Sequence, residues 1–314
     1  MDLSIIIINW NSSEYVRNCI KSLYNHTKGT GFEVIVIDNG SYDSCGRMVA
    51  SEFPRVRFFQ SRENLGFAKA NNYGSQKATG EYLLFLNPDT EVIDDAISGM
   101  LSLMQGLPDA AVLGCKLLNS DGSLQTSCVQ TFPTILNQVF DSDMINRQLP
   151  VFTTGNVAYS AKGPAKVEMI SGACMMIRKE VFEEVGNFSP EYFMYTEDLD
   201  LCYKTHQAGY ANYYTGAYSV IHHGGGSSQN RKENSYANIQ MRESIFKFFK
   251  KTRGDFYAGA YKKAMLVNGL MRFGLLSCVS AASALVGQRS KWRSSLIKWK
   301  GIIRWTLGIE RWAR

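Results

Sequence analysis

One of the apolar runs of this chain ends at a proline, and an aspartate follows it directly. In "LLFLNPDTEV" (83–92), Asn87 and Asp89 are two residues apart on an extended segment and therefore project to the same side. Pro88 ends the strand because it has no amide hydrogen to donate. A carboxylate beside an amide suits a hard divalent cation that holds a diphosphate, since Mg²⁺ usually takes one or two protein carboxylates together with phosphates. A simple turn is the alternative.

A second acidic group, "TEDLD" (196–200), stands at a predicted helix start and contains Glu197, Asp198 and Asp200. The helix dipole favours acidic residues there, so plain capping is one interpretation. However, three acids within four residues repel each other, and Asp89 lies far away along the chain. These observations favour separate tasks, in which one group anchors a metal and another, unligated, removes a proton from an acceptor hydroxyl.

Two histidines, His222 and His223, precede three glycines in "SVIHHGGGSS" (219–228). Histidine is a common metal ligand, and a glycine loop lets the backbone approach a phosphate closely. We therefore expect His222 to supply a metal nitrogen, with a structural histidine as the alternative. The G-x-G-x-x-G fingerprint after the first strand and the Walker A sequence are both absent, which weighs against nicotinamide redox and P-loop chemistry.

Other polar residues follow nearly continuous apolar runs that read as strands covered on both faces. Strands alternate with helical patterns, which predicts an α/β fold with a doubly wound, mostly parallel sheet. Ligands bind such sheets beyond the carboxyl ends of the strands, so residues at these ends should converge on one crevice. Asp38 could accept hydrogen bonds from a base or ribose, or could only cap and turn together with Ser41. The residues at these ends are Asn9 and Asn11 after the first strand, Asp38, Asn39 and Ser41 after the second, and Asn87 and Asp89 after the fourth.

The charge is divided unevenly along the 314 residues. Residues 242–314 hold 16 Lys and Arg against 3 Asp and Glu, a net charge of +13, while the remainder carries −7. Such a basic segment could follow nucleic acid, anionic lipid or acidic polymers, or could be a solvated helix face. Binding of nucleic acid is not expected, because a basic helix without a reading motif is not specific.

The basic segment also has a distinctive apolar pattern. Residues 273–288 form an uncharged run of 16 residues, shorter than the ~20 that a transmembrane helix needs. After it, Trp292, Trp299, Trp305 and Trp312 alternate with Lys and Arg, which is typical of a helix that lies in a membrane interface. Burial of these tryptophans against the main body is the alternative.

The remaining patterns concern the environment of the chain. Seven scattered cysteines without a C-x-x-C motif suit reduced thiols in a cytosolic compartment. The N-terminal apolar run has strand length and lacks the charged region of a signal peptide, so we expect the chain to begin inside the fold. Residues 119–165, rich in small polar side chains, predict a long excursion that includes a mobile lid.

Six ordered segments resemble the family 2 glycosyltransferases with a GT-A fold. They cover about residues 3–228 and read "SIIIINWNS", "EVIVIDNGSYD", "ENLGFAKANNYG", "YLLFLNPDTEV", "SGACMMIRKEVFEEVGNFSPEYFMYTEDLDLCYKTHQAGY" and "IHHGGGSS". The N-W-N and N-P-D variants are most similar to the rhamnosyltransferase branch, which builds bacterial cell-surface polysaccharides. We expect two domains, 1–232, which contains the shared motifs, and 233–314, a basic amphipathic helical tail outside them.

The resemblance also implies roles for individual residues. Asp198 would be the general base, supported by Glu197, and Asp89 and His222 would bind Mg²⁺ or Mn²⁺ on the donor diphosphate. Asn87 replaces the first aspartate of the D-x-D-like motif, and His222 would compensate for that lost charge. Asp38 would contact the nucleotide base. The residues expected at the nucleotide are Asn9, Asn11, Asp38, Ser41, Asn64, Gly66 and Asn87.

The implied reaction is an inverting, metal-dependent transfer of a sugar, with rhamnose as one candidate. The donor would be a dTDP or UDP sugar, and the acceptor a hydroxyl of a glycan or of a lipid-linked acceptor. We expect a cytoplasmic protein, peripheral on the anionic inner membrane face. Two other functions stay open at this point, a noncatalytic sugar-binding module and a sugar nucleotidyltransferase.

Overall fold

The computed structural model describes residues 1–140, 159–160, 162–224, 235–285 and 292–310. The chain divides into two compact units. The first comprises the described residues within 1–132, 148–193 and 197–229, and the second those within 133–147, 194–196 and 230–314. The domain bounds expected from the sequence, 1–232 and 233–314, stay a prediction.

The first unit is built on a sheet whose parallel part has the order β3-β2-β1-β4. The continuous apolar runs form these strands because helices cover both faces, and every residue of β1 is buried. In the register of β1 with β2, Asn9 lies opposite Asp38, so both side chains leave the sheet at the same level. The strands are β1 (Leu3–Asn9), β2 (Phe32–Asp38), β3 (Arg57–Gln60) and β4 (Tyr82–Leu86).

Amphipathic helices connect and cover these strands. Helix α1 buries Val16, Cys19, Ile20 and Leu23, whose spacing of three and four residues forms one face. Gly74 of α3 has no side chain because a Cβ there would lie 2.6 Å from Ile6 of β1. The α/β prediction is thus confirmed. The helices are α1 (Ser13–His26), α2 (Cys45–Glu52), α3 (Gly66–Ser75) and α4 (Ala96–Gln105).

The sheet continues from β4 through strands of both directions, in the order β4-β10-β6-β11-β5, with β8 also paired to β11. Strand β10 is antiparallel to both β4 and β6, whereas β6 and β11 are parallel. Strand β10 therefore begins beside the carboxyl end of β4, where the parallel strands present their polar residues. These strands are β5 (Thr90–Val92), β6 (Ala110–Leu118), β8 (Ala165–Val167), β10 (Cys174–Arg178) and β11 (Ala211–His222).

Short elements complete the first unit. Strands β7 (Val129–Gln130) and β9 (Met169–Ile170) form a separate two-stranded sheet, and Thr126–Cys128 is a 3₁₀ turn. Helices α6 (Lys179–Glu184) and α7 (Glu197–Gln207) follow. The lid expected within 119–165 falls largely on residues 141–158 and 161, which lie outside the described residues.

The second unit contains α5 (Ile135–Val139), α8 (Ser235–Leu285) and α9 (Arg293–Thr306). Helix α8 bends at Gly254, whose φ of 84° is a left-handed conformation that glycine adopts without strain. Helix α9 packs on α8 through Trp299, Ile302 and Trp305. The indole Nε1 of Trp305 donates a hydrogen bond to Glu243 Oε2 at 2.7 Å.

Two tryptophans that the sequence predicted to lie in a membrane interface are buried within the second unit. Trp299 and Trp305 are 6% and 2% exposed, so they hold α9 on α8 and do not face a membrane interface. The tryptophan prediction is therefore wrong for these two residues, because the pattern of residue types does not show which helix face packs. Trp292 is 39% exposed, and Trp312 lies outside the described residues.

One helix of the described residues, Tyr236–Ser283, is long and apolar enough to cross a membrane by length and composition alone. A core helix passes the same test, so this property does not show a span. The seven cysteines are free thiols, as the sequence predicts, and Cys278 is exposed while the other six are buried.

The Trp305–Glu243 hydrogen bond should contribute measurably to the stability of the second unit. In Trp305→Phe, the buried Glu243 carboxylate loses its indole donor, and we expect about 1–3 kcal/mol of destabilisation. Thermal and denaturant unfolding of the full chain measure this loss. In Trp305→Phe/Glu243→Leu both partners are gone, so stability should recover in part. Equal loss in the single and double variants would show that the hydrogen bond contributes nothing.

Candidate active site

Asn9 and Asp38 form a buried hydrogen-bonded pair at the ends of β1 and β2. Asn9 Nδ2 donates to Asp38 Oδ2 at 2.7 Å and to Ser41 Oγ at 3.1 Å. Asp38 Oδ1 accepts hydrogen bonds from the Ser41 amide at 2.8 Å and from Gln60 Nε2 at 2.6 Å. The structure thus brings these three predicted residues together and fixes the Asp38 carboxylate with donors on both oxygens.

Asn11 braces the same turn from the first strand. Its amide donates to Ser41 Oγ at 2.9 Å, and its Oδ1 accepts the Tyr42 amide at 2.8 Å. Its φ of 52° is left-handed, a conformation that asparagine tolerates better than most residues. The contacts described for Asn11 therefore hold the backbone around Ser41.

Asn64 and Gly66 lie in a loop that Asn39 holds against the end of β2. Asn39 Nδ2 donates to Asn64 Oδ1 at 2.9 Å, and Asn64 Oδ1 also accepts the Gly66 amide at 2.9 Å. Gly66 has φ +77°, and a Cβ there would collide with the carbonyl oxygen of Phe193. Glycine is required at this position on both counts. The loop is therefore fixed next to the Asp38 cluster.

Asp89, Asn87 and His222 meet at the other side of the strand ends. The antiparallel pairing of β5 with β11 places His222 opposite Thr90, next to Asp89. His222 Nε2 lies 3.4 Å from Asp89 Oδ1 and 3.3 Å from Asn87 Nδ2. Asp89 is only 5% exposed, and its carbonyl accepts the His223 amide at 2.9 Å.

Gln125, which the sequence did not point to, fixes the imidazole of His222. Its Nε2 donates to the carbonyl of His222 at 2.9 Å and to Asn119 Oδ1 at 2.8 Å, so its Oε1 is the atom that faces His222 Nδ1 at 2.8 Å. An amide oxygen only accepts, so Nδ1 carries a proton, and in the neutral imidazole Nε2 keeps its lone pair. In that form His222 Nε2 accepts from Asn87 Nδ2.

These residues fit a divalent cation. Asp89 offers a carboxylate oxygen and His222 an unprotonated nitrogen, at a separation that one ion can bridge, and Gln125 orients the imidazole as in many metal sites. Among the residues that the structure describes, no three His, Cys, Asp or Glu side chains form a metal-binding group. Two protein ligands suit an ion that also takes phosphate oxygens.

The three acids of "TEDLD" occupy different environments in α7. Asp198 is half-buried, and its carboxylate accepts the amides of Gly172 and Leu199, both at 2.9 Å. Burial raises the pKa of Asp198 above its ordinary value, against the opposing effect of these two hydrogen bonds. Glu197 is buried, 6% exposed, at the helix start.

Asp200 has a structural environment. It is fully buried and accepts hydrogen bonds from Ser189 Oγ and, at 3.3 Å, from the Tyr192 hydroxyl. Lys204 Nζ lies 3.7 Å away on the next turn. Asp200 therefore ties the segment before α7 to the helix, which leaves Asp198 as the partly exposed acid of the cluster.

The segment that precedes β10 connects Asp198 with the Asn87–Asp89 turn. Ala173 O accepts the amide of Asn87 at 3.0 Å, and the adjacent Gly172 amide donates to Asp198. A Cβ on Gly172 would lie 3.4 Å from the Asp198 carboxylate. Two consecutive residues thus link the two acidic groups, which are more than 100 residues apart in sequence, beside the carboxyl end of β4.

Sequence reasoning missed Gln125 and Gly172 as parts of the site. Gln125 stands in a segment without periodicity, where the sequence gives no signal for it. Gly172 lies in "SGAC" just before β10, inside a motif of the family resemblance, and its close approach to a carboxylate is the kind of position where glycine is informative.

Curated relatives are similar to this chain over about two thirds of its length. The chain is 25% identical over 239 residues to an N-acetylglucosaminyl-diphospho-decaprenol L-rhamnosyltransferase of Mycobacterium tuberculosis, covering 70% of this chain and 76% of the relative. It is 26% identical over 226 residues to the rhamnosyltransferase WbbL of Escherichia coli, covering 70% and 82%. A hexosyltransferase of Haloferax volcanii, Agl10, is 29% identical over 207 residues, covering 65% and 61%.

Solved glycosyltransferases share the fold. A mannosyltransferase from Pyrobaculum calidifontis, in complex with GDP-Man and Mn²⁺, matches with a TM-score of 0.59 at 15% identity, over 98% of this chain and 86% of that chain. GalNAc-T7 with UDP, GalNAc and Mn²⁺ matches with a TM-score of 0.55 at 15% identity, over 80% of this chain and 54% of that chain. The predicted GT-A architecture is confirmed.

The match to a protein family covers more than half of the chain and includes the strand ends at Asn9, Asp38 and Asp89. Residues 4–186 match the family described as "Glycosyl transferase family 2". This chain therefore belongs to glycosyl transferase family 2 and is similar to its rhamnosyltransferases.

Proposed function

We propose that this glycosyltransferase moves a sugar, with rhamnose as the first candidate, from a nucleoside-diphosphate donor to a hydroxyl of a cell-surface glycan or lipid-linked acceptor. The observation that carries this proposal is the meeting of Asp198 with the Asn87–Asp89 turn through Gly172 and Ala173. Two relatives are rhamnosyltransferases, and the name of one includes a diphospho-decaprenol. This supports both the sugar and the lipid-linked acceptor.

The nucleotide is proposed to bind along the ends of β1 and β2. Asp38, with its carboxylate oriented by Asn9, Ser41 and Gln60, would accept a hydrogen bond from the base. The loop of Asn64 and Gly66 would flank the nucleotide, with Asn11 holding the turn at Ser41 and Asn87 near the diphosphate. Two solved relatives of the fold contain UDP and GDP-Man, and we propose UDP or dTDP for this chain.

Asp89 and His222 are proposed to hold Mg²⁺ or Mn²⁺ at the donor diphosphate. Such an ion, when bound, offsets the charge that develops on the leaving nucleoside diphosphate. Gln125 keeps the Nε2 lone pair of His222 directed at the site. Asn87 contributes no charge, so the protein presents one carboxylate and one imidazole to the ion.

Asp198 is proposed to act as the general base. Its carboxylate, held by the Gly172 amide, would take the proton of the acceptor hydroxyl while that oxygen attacks the anomeric carbon and the bond to the diphosphate breaks. A raised pKa makes Asp198 a stronger base than an exposed aspartate. Glu197 supports the start of the same helix. A single displacement from the opposite face inverts the anomeric configuration.

A lipid-linked acceptor would place the reaction at a membrane. We propose that the protein works on the cytoplasmic side, peripheral to the inner face of the membrane. The exposed basic side chains of the second unit support contact with an anionic surface, with no requirement for nucleic acid.

Replacing the proposed base should remove transfer and leave donor binding intact. In Asp198→Asn we expect kcat to fall by roughly 10²–10⁴, the usual contribution of general-base catalysis. Steady-state kinetics and calorimetric donor titration separate the two effects. In the wild type, activity should fall as pH drops through the raised pKa, so the acid limb of kcat/KM lies above the ~3.9 of an ordinary aspartate.

Asp109→Asn is the matched control, since Asp109 is an exposed aspartate paired with Lys166 on the surface. It should keep the kcat and the pH profile of the wild type. Wild-type turnover in Asp198→Asn, or an acid limb that persists in that variant, would reject Asp198 as the base.

Removing the carboxylate of Asp89 should weaken metal-dependent donor binding more than the chemical step. In Asp89→Ala we expect loss of the Mn²⁺-dependent part of donor affinity, because His222 remains as a lone ligand. Titration of UDP and dTDP with and without Mn²⁺ measures this part of the affinity, and electron paramagnetic resonance of Mn²⁺ reports binding of the ion. If Mn²⁺ strengthens nucleotide binding equally in Asp89→Ala and the wild type, Asp89 is not a metal ligand.

Gln125 should control metal affinity without touching the metal. In Gln125→Ala the imidazole of His222 loses its acceptor, and Mn²⁺ affinity should fall about 10- to 100-fold, as for other partners of metal-ligating histidines. Direct Mn²⁺ titration and the ¹⁵N shifts of His222 in the metal-free protein report affinity and tautomer. Gln130→Ala, an exposed glutamine nearby, is the control. An unchanged His222 tautomer in Gln125→Ala would contradict this assignment.

A further inference from the structure

The second half of α8 presents a continuous apolar face to solvent. Val267, Leu270, Met271, Leu275 and Val279 are 56%, 54%, 62%, 66% and 37% exposed. Their spacings of three, one and four residues place them on one side of the helix, together with exposed Gly274, Cys278, Ala281 and Ala282. We call this set, residues 267–282, the apolar stripe. It extends about 22 Å along the helix at 1.5 Å per residue.

The stripe lies on the side of α8 that α9 leaves open. Trp299 and Trp305 are buried, and Arg272 and Lys262 of α8 stack on their rings at 4.9 and 5.1 Å. A Cβ on Gly269 would lie 3.0 Å from Ile303, which shows how closely the two helices approach. Because these contacts fix the packed side of α8, the second unit exposes the stripe as a formed surface.

One basic side chain borders this surface, and others lie elsewhere on the second unit. Lys263 is exposed one turn before Val267, at the start of the stripe. On α9, the exposed Arg293, Lys300 and Arg304 recur at spacings of seven and four residues and share one outward face, opposite to the face that packs on α8. Residues 242–314 together carry a net charge of +13. An apolar helix face within a basic segment is the composition of a helix that lies in an anionic membrane interface.

We propose that the apolar stripe of α8 is the surface that inserts into the headgroup region of an anionic bilayer, with this half of the helix parallel to the membrane plane. This inference deepens the membrane partner of the proposed function. In this inference the aliphatic side chains of α8 contact the membrane. The sequence pattern had predicted that contact for the tryptophans of α9.

An apolar face could also bind a second copy of this chain or cross the membrane. Charge favours the anionic bilayer surface over both. A second copy docked stripe to stripe would bring two segments of +13 together, which repel each other. A full transmembrane span would carry the outward Arg293, Lys300 and Arg304 of the packed α9 into hydrocarbon, at high cost. An anionic surface instead takes the apolar side chains and attracts the basic ones.

Sedimentation with vesicles tests the surface on the full chain without any sugar donor. The wild type should bind vesicles of phosphatidylglycerol and phosphatidylcholine, and bind pure phosphatidylcholine at least tenfold more weakly. Leu270→Glu/Leu275→Glu should lose at least tenfold in affinity for the anionic vesicles. Phe256→Glu is the matched control, because Phe256 is 92% exposed on α8 before the stripe begins, and it should bind as the wild type does.

A second measurement needs no substitution. Cys278 lies on the stripe and is the exposed thiol, whereas the other six cysteines are buried, so a thiol-reactive bimane should label it selectively. Its fluorescence should shift to the blue on anionic vesicles and be quenched by nitroxide-labelled lipids. This readout decides the matter if the double variant does not fold.

Three results would overturn the inference. They are a wild type that stays in solution with anionic vesicles, a labelled Cys278 that nitroxide lipids do not quench, and a dimer in analytical ultracentrifugation that Leu270→Glu/Leu275→Glu converts to a monomer. Donor and Mn²⁺ titrations on the same samples report the first unit separately. A wild type that binds the donor but not the anionic vesicles therefore rejects the stripe and leaves the proposed transfer standing.

Discussion

The antiparallel pairing of β10 with β4 is the constraint on which the site depends. A parallel sheet alone brings polar residues together only at the carboxyl ends of its own strands. Because β10 runs the other way, the residues that precede it lie beside the residues that follow β4. Gly172 and Ala173 thereby reach both the Asn87–Asp89 turn and the Asp198 carboxylate. Because of this one reversed strand, the start of α7 is linked to the turn that follows β4.

The acids of the site differ because the fold gives each of them different neighbours. Asp198 has a raised pKa from burial and accepts two backbone amides, an environment that keeps a carboxylate oriented and basic. Asp89 lies beside an imidazole whose Nε2 lone pair is fixed by Gln125, which suits shared coordination of a cation. Asp200 binds Ser189 and Tyr192 in the interior and is committed to structure. Three aspartates therefore differ by location alone, as the proposed base, the proposed metal ligand and a structural residue.

Local sequence signals predicted the strands and their polar ends well. Apolar runs at 3–10, 33–40 and 81–87 correspond closely to β1, β2 and β4, because a strand buried on both faces has no polar residue to interrupt it. The positions of Asn9 and Asp38 at the ends of β1 and β2, and of Asn87 directly after β4, follow from the same rule. Gln125 was not predictable, since its importance comes from hydrogen bonds to residues nearly 100 positions away. The reversed direction of β10 is equally a long-range property that the local sequence does not encode.

In the tail, the composition of the sequence did not show which face of the helix packs. Tryptophan and basic residues alternate along residues 289–314, a pattern shared by interfacial helices and by helices that pack on an apolar neighbour. Packing of α9 on α8 uses Trp299, Ile302 and Trp305, and this buries the aromatic face while it turns Lys300 and Arg304 outward. With the aromatic face of α9 buried, the apolar stripe of α8 is an apolar surface that the described part of the second unit still exposes. A helix pair can therefore keep the basic and apolar composition of a membrane-binding segment while the residues that provide its apolar contact lie on the other helix.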